Sequence, residues 1–598
     1  MTAVGAEPQP KLVRKPRGRR PGGRRRWRAL VLVAACYLVI SAVLQHGAVL
    51  HPFSMTAGSV SVDAHLFIWW LRWTPLALGH GHNPLLTDYM NYPDGVNGMW
   101  NTGVVTLGVL AAPLTLTLGP VFTFNTLMVL GPVAAGVAFF VVLCRYVERP
   151  WTAAVGGAAY GFSPFIVAHL AAAHLNLVWA VLPPLLLLFL DELFVRQRAR
   201  PLILGAAFGV TLVVQAGLYT QTLALGGLMF AVGAILVVAR WAGRLRGRVR
   251  YVLVAAGSIV GTFVLLYGYP LWLLWRGPGV PRAPFRDTEH WVGDLAALVV
   301  PTESTLLRPG VGGDAAQMGG YRGGQGLYVG VVVLAVLVLA VVVVRRPIVR
   351  LTAIAGVAAT VLALGPRLAV FHRETAIWLP WTAVRKLPLL ANVEPVRLAG
   401  FTWFCVAVLL ALWLDAAAAV PGVPARVGGL ALGALALASV MPRAVAASPL
   451  PVPAFFRDGT VGALVAQGAV VKTVPRATAA WNGGALPLAW QAASGMHYRT
   501  TSGYFIGADR THRVLLQGVR DAYDKVSGAI RGGAKAPGPN APATIAARAI
   551  LRERKVALLV VVPQPQDGVR TQTLLAWTQT VTGRPGSFHG GVWVFDLR

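Results

Sequence analysis

The residues best suited to chemistry lie in one stretch, Ser59 to Thr102, reading SVSVDAHLFIWWLRWTPLALGHGHNPLLTDYMNYPDGVNGMWNT. Asp63 comes first, followed by His65, a Trp-rich segment and a polar tail with His80, His82, Asn83, Asp88, Tyr92 and Asp94. A carboxylate at the edge of a bilayer is costly unless it is solvated, paired or used. Asp63 is placed to act as a general base, taking a proton from an acceptor hydroxyl while that oxygen attacks carbon. It also precedes an apolar helical pattern, where Asp is a favoured N-cap, and the two roles are compatible.

Other groups extend this constellation. His65, His80, His82, Asp88 and Asp94 could form with Asp63 an oxygen and nitrogen set for a divalent cation. The His content suits Mg²⁺ or Mn²⁺ poorly, and the spacing follows no standard ligand pattern. Trp69, Trp70 and Trp73 are expected to form an aromatic belt at headgroup depth, with stacking of a sugar or prenyl chain as the alternative. His169, His174 and Asn176, in SPFIVAHLAAAHLNLVW, fall at the end of a predicted span, suited to contact with a sugar or phosphate or to a packing role. Arg397 and Glu394 share LPLLANVEPVRLAGF. A guanidinium fork there suits a lipid-linked phosphate, and the alternative is an Arg that snorkels or pairs with Glu394. Arg282, Arg286, Arg308 and Arg322 are weaker versions of the same idea. The segment GGYRGGQG lacks the P-loop pattern, and neither H-E-x-x-H nor C-x-x-C occurs.

The elements that must position these groups are membrane helices. The 598 residues are 56% hydrophobic and 13% charged, against roughly 25% charged in soluble domains. Runs of about 20 apolar residues are needed per span. They are predicted near 29–48, 123–144, 152–168, 175–193, 202–218, 221–240, 251–275, 327–344, 349–366, 399–419 and 425–441, eleven in all. The stretch Val104 to Gly119 is expected to be an interfacial or re-entrant helix broken by Pro113 and Pro120, and would be a twelfth span if it crossed.

The net charge of +31 resides partly in ten Lys and Arg between Lys11 and Arg28, just before the first span. No folded basic domain accompanies this arm, so nucleic acid is not expected. Basic loops at Arg145–Arg149, Arg196–Arg200, Arg240–Arg250, Arg345–Arg350 and Arg426 then fall on the cytoplasmic side with the arm. Ten acids fall outside: Asp63, Asp88, Asp94, Asp287, Glu289, Asp294, Glu303, Asp314, Glu374 and Glu394. The large insertions 49–122, 276–326 and 367–398 are outward as well, so the working face is expected there.

The expected domains are a basic cytoplasmic arm over 1–28, a transmembrane region over 29–445, and a small extracytoplasmic α/β domain over 446–598. Within the last, helices are predicted over Thr544–Arg554 and Thr571–Val581, and strands over Val556–Val562 and Val592–Leu597. Cys36, Cys144 and Cys405 lie in apolar runs and imply no disulfide framework. Only 7 of 53 basic residues are Lys, and Ala, Gly and Val dominate, a composition of high-GC bacterial genomes.

The order of parts resembles the GT-C superfamily of integral-membrane glycosyltransferases. It runs from one span to a large outer loop opening with Asp63 in SVDAHLFIWW, then HGHNPLLTDYMNYPDGVNGMWNT, many further spans and a C-terminal domain. More narrowly, the run from Asp63 to Asn101, YGFSPFIVAHL, LPLLANVEPVRLAG and the region from VPAFFRDG to WQAASGMHYRTTSGYF resemble actinobacterial membrane proteins treated as glycosyltransferases. The resemblance implies inverting transfer of a sugar from a polyprenyl-phosphate donor to a cell-envelope glycan or exported acceptor, outside the cytoplasm at a bacterial plasma membrane. It maps Asp63 onto the loop acid, with Asp88 a second candidate. The adjacent acidic pair of some members is absent, since Ala64 and His65 follow. Trp490, Gln491, Tyr498 and Tyr504 are candidates to orient the acceptor. The rival readings are a transporter or lipid flippase, which requires polar residues at the midplane, and an inactive assembly protein on the same frame.

Overall fold

The computed structural model describes residues 23–245, 248–285, 291–308, 326–387 and 390–598. Most of the basic arm lies outside the described residues, as do Arg286, Asp287, Glu289, Asp314, Arg322 and most of GGYRGGQG. Among the described residues eight helices are long and apolar enough to cross a membrane: Trp27–Leu44, Pro120–Leu143, Pro150–Ala171, Leu175–Arg196, Pro201–Leu218, Thr220–Gly243, Val249–Arg276 and Pro395–Ala417. Val331–Val343, Pro347–Ala363 and Val423–Ser439 are shorter apolar helices. Each of the eleven expected segments thus falls on an apolar helix, eight of them of full length. Pro120, Pro150, Pro201 and Pro347 open their helices, where a missing N–H costs nothing and the fixed φ suits the first turn.

The stretch 104–119 forms two short helices, Val105–Leu110 and Ala112–Leu118, the second with Pro113 in its first turn. Neither half alone is long enough to span. The first half packs against the helix Val62–Gly79, since a side chain at Gly108 would meet Thr74 at 2.8 Å.

That helix, Val62–Gly79, is the element around which the insertion folds. Its N-cap is Ser61, whose side chain accepts from the Asp63 amide. Asp63 is therefore not the cap but a first-turn residue, which leaves its carboxylate for other partners. Trp69 and Trp70 are fully buried and Trp73 is 2% exposed, so the three do not form an aromatic belt and offer no open face for stacking. They pack instead against the C-terminal region, with the Trp69 indole donating to Gln491 Oε1 at 2.6 Å. Truncating a Trp buried in this way costs roughly 3–5 kcal/mol.

The C-terminal region carries a five-stranded sheet in the order Ser587–His589, Val592–Asp596, Val556–Val561, Ala469–Val474, Tyr498–Arg499. Ala469–Val474 is parallel to both Val556–Val561 and Tyr498–Arg499, while Val592–Asp596 is antiparallel to Val556–Val561. Helices Ala522–Arg531, Pro542–Glu553 and Val569–Thr582 contribute the core residues Tyr523, Leu551 and Trp577 on one side of the sheet, and Phe455, Phe456 and Trp490 build a second core. A separate hairpin, Tyr504–Ala508 with Val514–Gln517, projects from this domain. The domain is tied to the first insertion by an antiparallel pair, Met55–Ala57 with Ala447–Pro449.

The two ends of the helix Pro395–Ala417 differ sharply. At its C-terminal end Asp415, 1% exposed, accepts from the amides of Glu148 and Arg149 at 3.1 Å and pairs with Arg149 and Arg346 at 3.6 and 3.4 Å. Arg145 pairs with Glu192 and Arg196 with Asp191 at 2.7 and 2.6 Å. Arg397 stands at the other end, roughly 27 Å away at 1.5 Å per residue.

Candidate active site

Two loops are stitched together to build the site. Gly58, at φ +89°, brings the chain so close to the end of the helix Pro164–Ala171 that a Cβ would meet the Leu170 carbonyl at 2.6 Å. Ser59 then donates from its amide and hydroxyl to the Ala171 carbonyl at 2.8 and 3.0 Å. On the facing loop Ala173 takes a left-handed φ of 60°, and the His174 amide closes a turn onto the His169 carbonyl at 2.9 Å. The consequence is that His174 Nε2 lies 3.3 Å from Asp63 Oδ2.

Behind His174 stands His169, 1% exposed, with the two Nδ1 atoms 2.9 Å apart. One must donate and the other accept. With His169 as donor, the proton of His174 sits on Nε2 and is given to Asp63. His169 Nε2 is buried with no hydrogen-bond partner among the described residues. On the other side the Tyr504 hydroxyl donates to Asp63 Oδ1 at 2.8 Å. Tyr504 is brought there by Asn101, whose side chain accepts from the Ile506 amide at 2.8 Å and donates to the Ile506 carbonyl at 2.9 Å.

Arg397 lines the same pocket as Asp63, together with His174, Asn176, Tyr219, Asn101, Thr102 and Tyr504, with Leu66, Phe67, Leu177, Phe505 and Ile506 as its apolar wall. The pocket holds about 430 Å³ of non-atom space, open solvent at its mouth included. Glu394 fixes the guanidinium through Nη2 at 2.9 Å, Gln221 Oε1 accepts from Nη1, and the Tyr219 ring lies under it at 5.1 Å. Gln221 is anchored in turn by donating to the Asn392 carbonyl at 3.1 Å. Arg397 Nε is buried with no hydrogen-bond partner among the described residues.

The expected site residues therefore divide. Asp63, His174, Asn176 and Arg397 share the pocket, and His169 and Glu394 support it from behind. His65 is 4% exposed, and burial, opposed by the charge of Asp63, lowers its pKa to about 4. Neither it nor His82, which is exposed, lines the pocket. Asp88 pairs with Arg499 at 3.2 Å, and Asp94 is within 3.6 Å of Arg510, both away from the pocket lining. Among the described residues no three His, Cys, Asp or Glu side chains converge as a metal-ligand group, so the cation set of His65, His80, His82, Asp88 and Asp94 with Asp63 is not assembled. Of the acceptor candidates only Tyr504 reaches the pocket, and Trp490, Gln491 and Tyr498 are buried. Arg282 and Arg308 are exposed and line no part of it. Tyr219 and Gln221 were not anticipated. Their signal is the polar run YTQT interrupting two apolar helices.

No family model matches the sequence, and no curated protein matches it. Solved structures do. The arabinofuranosyltransferase AftD from Mycobacteria is similar over 96% of this chain, at 14% identity and a TM-score of 0.55, although the chain spans only 41% of AftD's length. The Archaeoglobus fulgidus oligosaccharyltransferase tethered to an acceptor peptide gives 13% identity and 0.48 over 94% of this chain and 71% of its own. ArnT from Cupriavidus metallidurans bound to undecaprenyl phosphate gives 12% and 0.36, over 96% of this chain and 98% of its own. With its bundle of apolar helices, its acid-bearing first insertion and its appended α/β sheet, the chain shares its fold with the arabinofuranosyltransferase AftD.

Proposed function

We propose that this protein is a membrane glycosyltransferase that moves a sugar from a polyprenyl-phosphate donor to an acceptor hydroxyl, with inversion. The observation that carries this reading is that Asp63 and Arg397, an acid and a guanidinium from opposite parts of the chain, line one pocket. The fold it shares with an arabinofuranosyltransferase adds support.

In this mechanism Asp63, held by Tyr504 and His174, takes the acceptor hydroxyl proton as the oxygen bonds to the anomeric carbon. The bond from that carbon to the phosphate oxygen breaks, and the departing phosphate keeps the electron pair. Arg397, aimed by Glu394 and Gln221, stabilises that charge. Asn176 supplies a polar contact for the sugar, while Asn101 is spent on clamping Ile506 and so on placing Tyr504. The arginine clusters around Asp415 and Glu192 support reading that end of the bundle as cytoplasmic, and on this reading the pocket opens on the outer face of a bacterial plasma membrane, toward a cell-envelope glycan or exported acceptor. A divalent cation is not part of this scheme.

The test uses the full chain in nanodiscs with radiolabelled polyprenyl-phosphate sugars, arabinose among them, and a cell-envelope glycan extract as acceptor. Asp63→Asn should lower transfer by roughly 10²–10⁴-fold. Undiminished transfer removes the base assignment, and sugar uptake without transfer in proteoliposomes of the wild type would favour a transporter.

A further inference from the structure

A short two-stranded hairpin lies beside the pocket end of the bundle. Its strands are Arg367–Val370 and Arg373–Trp378, with Val370 opposite Arg373. The turn residues Phe371 and His372 both take left-handed φ, 49° and 65°. That conformation is unfavourable for a bulky aromatic residue and persists only where surroundings enforce it. Here Asp294, 3% exposed, enforces it by accepting from the Phe371 amide at 3.1 Å and the His372 amide at 2.7 Å. The base is nailed down by Leu379 and Thr382, which donate to the Pro366 carbonyl at 2.9 and 2.8 Å.

The base is fixed, yet the apolar side chains face outward. Phe371, Ile377 and Trp378 are 60%, 56% and 59% exposed. A lone two-stranded hairpin is marginal in water, and large apolar side chains left exposed along it favour an apolar surround. Residues 367–387 also carry four Arg and Lys against one Glu. Aromatic and aliphatic groups interleaved with basic ones are the composition of an element seated at a headgroup boundary over anionic lipid. The position agrees, since only Leu364, Gly365 and Pro366 separate the hairpin from the apolar helix Pro347–Ala363. Gly365 in turn approaches Pro395, where the helix bearing Arg397 begins.

We infer that the hairpin 367–378 is a membrane-interface anchor whose Phe371 tip and Ile377 enter the acyl boundary of an anionic leaflet, while Trp378, under the Arg367 guanidinium at 4.3 Å, stays at headgroup level and Arg373 and Lys386 meet lipid phosphates. The strained turn presents Phe371 to the bilayer. The inference uses the membrane location of the helices and not the transfer reaction, so its failure would leave the glycosyltransferase reading untouched.

The experiment is power-saturation spin-label spectroscopy on the full chain in nanodiscs of phosphatidylglycerol or phosphatidylcholine. Cys36 and Cys144 are exposed and are first replaced by Ala, while Cys405 is buried. Labels are placed singly at Phe371→Cys, at Ile377→Cys and, as a water-facing control, at Lys535→Cys. In phosphatidylglycerol, oxygen should relax the labels at 371 and 377 more than an aqueous nickel chelate does, with the order reversed at 535. Adding Arg373→Gln and Lys386→Gln should move the label at 371 toward the aqueous pattern. An aqueous pattern at both hairpin sites overturns the inference, as does shielding from both reagents, the mark of a protein partner. Equal insertion in phosphatidylcholine that ignores the charge variant overturns the recognition of anionic lipid.

Discussion

The Tyr504 hydroxyl donates to Asp63 Oδ1 at 2.8 Å, joining two residues 441 positions apart in the chain. The bond lets the C-terminal domain hold one lone pair of the candidate base, while His174 holds the other oxygen. A hydrogen bond to a charged group contributes about 1.5–3 kcal/mol, and solvent at this part-exposed carboxylate favours the lower figure. Tyr504→Phe should therefore lower the melting temperature measurably and, by releasing Asp63 from its fixed orientation, slow sugar transfer as well. A transfer rate equal to wild type would show that Asp63 needs no such partner.

Arg397 presents a planar fork already braced by Glu394 and stacked on Tyr219. Lys keeps the charge but has neither the fork nor the planar stack. Arg397→Lys should reduce kcat/KM by roughly 10- to 100-fold, the size of one lost charge-assisted hydrogen bond. Steady-state kinetics against donor concentration decides the matter, and an unchanged value would argue that the donor phosphate lies elsewhere.

Stability should depend on pH through His65. Burial, opposed by Asp63, holds its folded-state pKa at about 4, against roughly 6.5 in the unfolded chain. Above the unfolded value both states are neutral and no dependence arises. As pH falls below it the unfolded state binds the proton first, so stability declines down to about pH 4 and then levels off, a total of roughly 3 kcal/mol. Melting in nanodiscs, followed by tryptophan fluorescence, should show this slope in the wild type and a shallower one in His65→Gln. Parallel slopes would sink the assignment.

Gly58 is the stitch between Asp63 and His174. Its φ of +89° and the 2.6 Å approach to the Leu170 carbonyl leave no place for a side chain. Gly58→Ala should cost about 1–3 kcal/mol and lower both melting temperature and transfer, because the Ser59 bonds to Ala171 must shift. An alanine variant as stable and active as the parent would show that the loop tolerates another path.

Much of the fold is legible in the sequence. The apolar runs gave the helices because hydrocarbon length sets span length. Strand Val556–Val561 and helix Val569–Thr582 followed from an unbroken β-branched run and a helical period. Asp63, His174 and Arg397 were legible because charged or titratable groups at the rim of apolar segments stand out chemically. The Trp cluster misled, since Trp69, Trp70 and Trp73 read the same whether they face lipid headgroups or a covering domain.

The sequence by itself determined the class of the protein: a bundle of apolar helices, an acid-bearing insertion and a terminal α/β region. Those features are local, written in periodicity, composition and caps. Only the tertiary structure decided which polar residues meet. Tyr504 reaches Asp63 because Asn101 clamps Ile506, Gln221 reaches Arg397 from another helix, and Asp88 is taken by Arg499 instead of the pocket. These pairings depend on how distant segments fold over one another, and no local propensity encodes them.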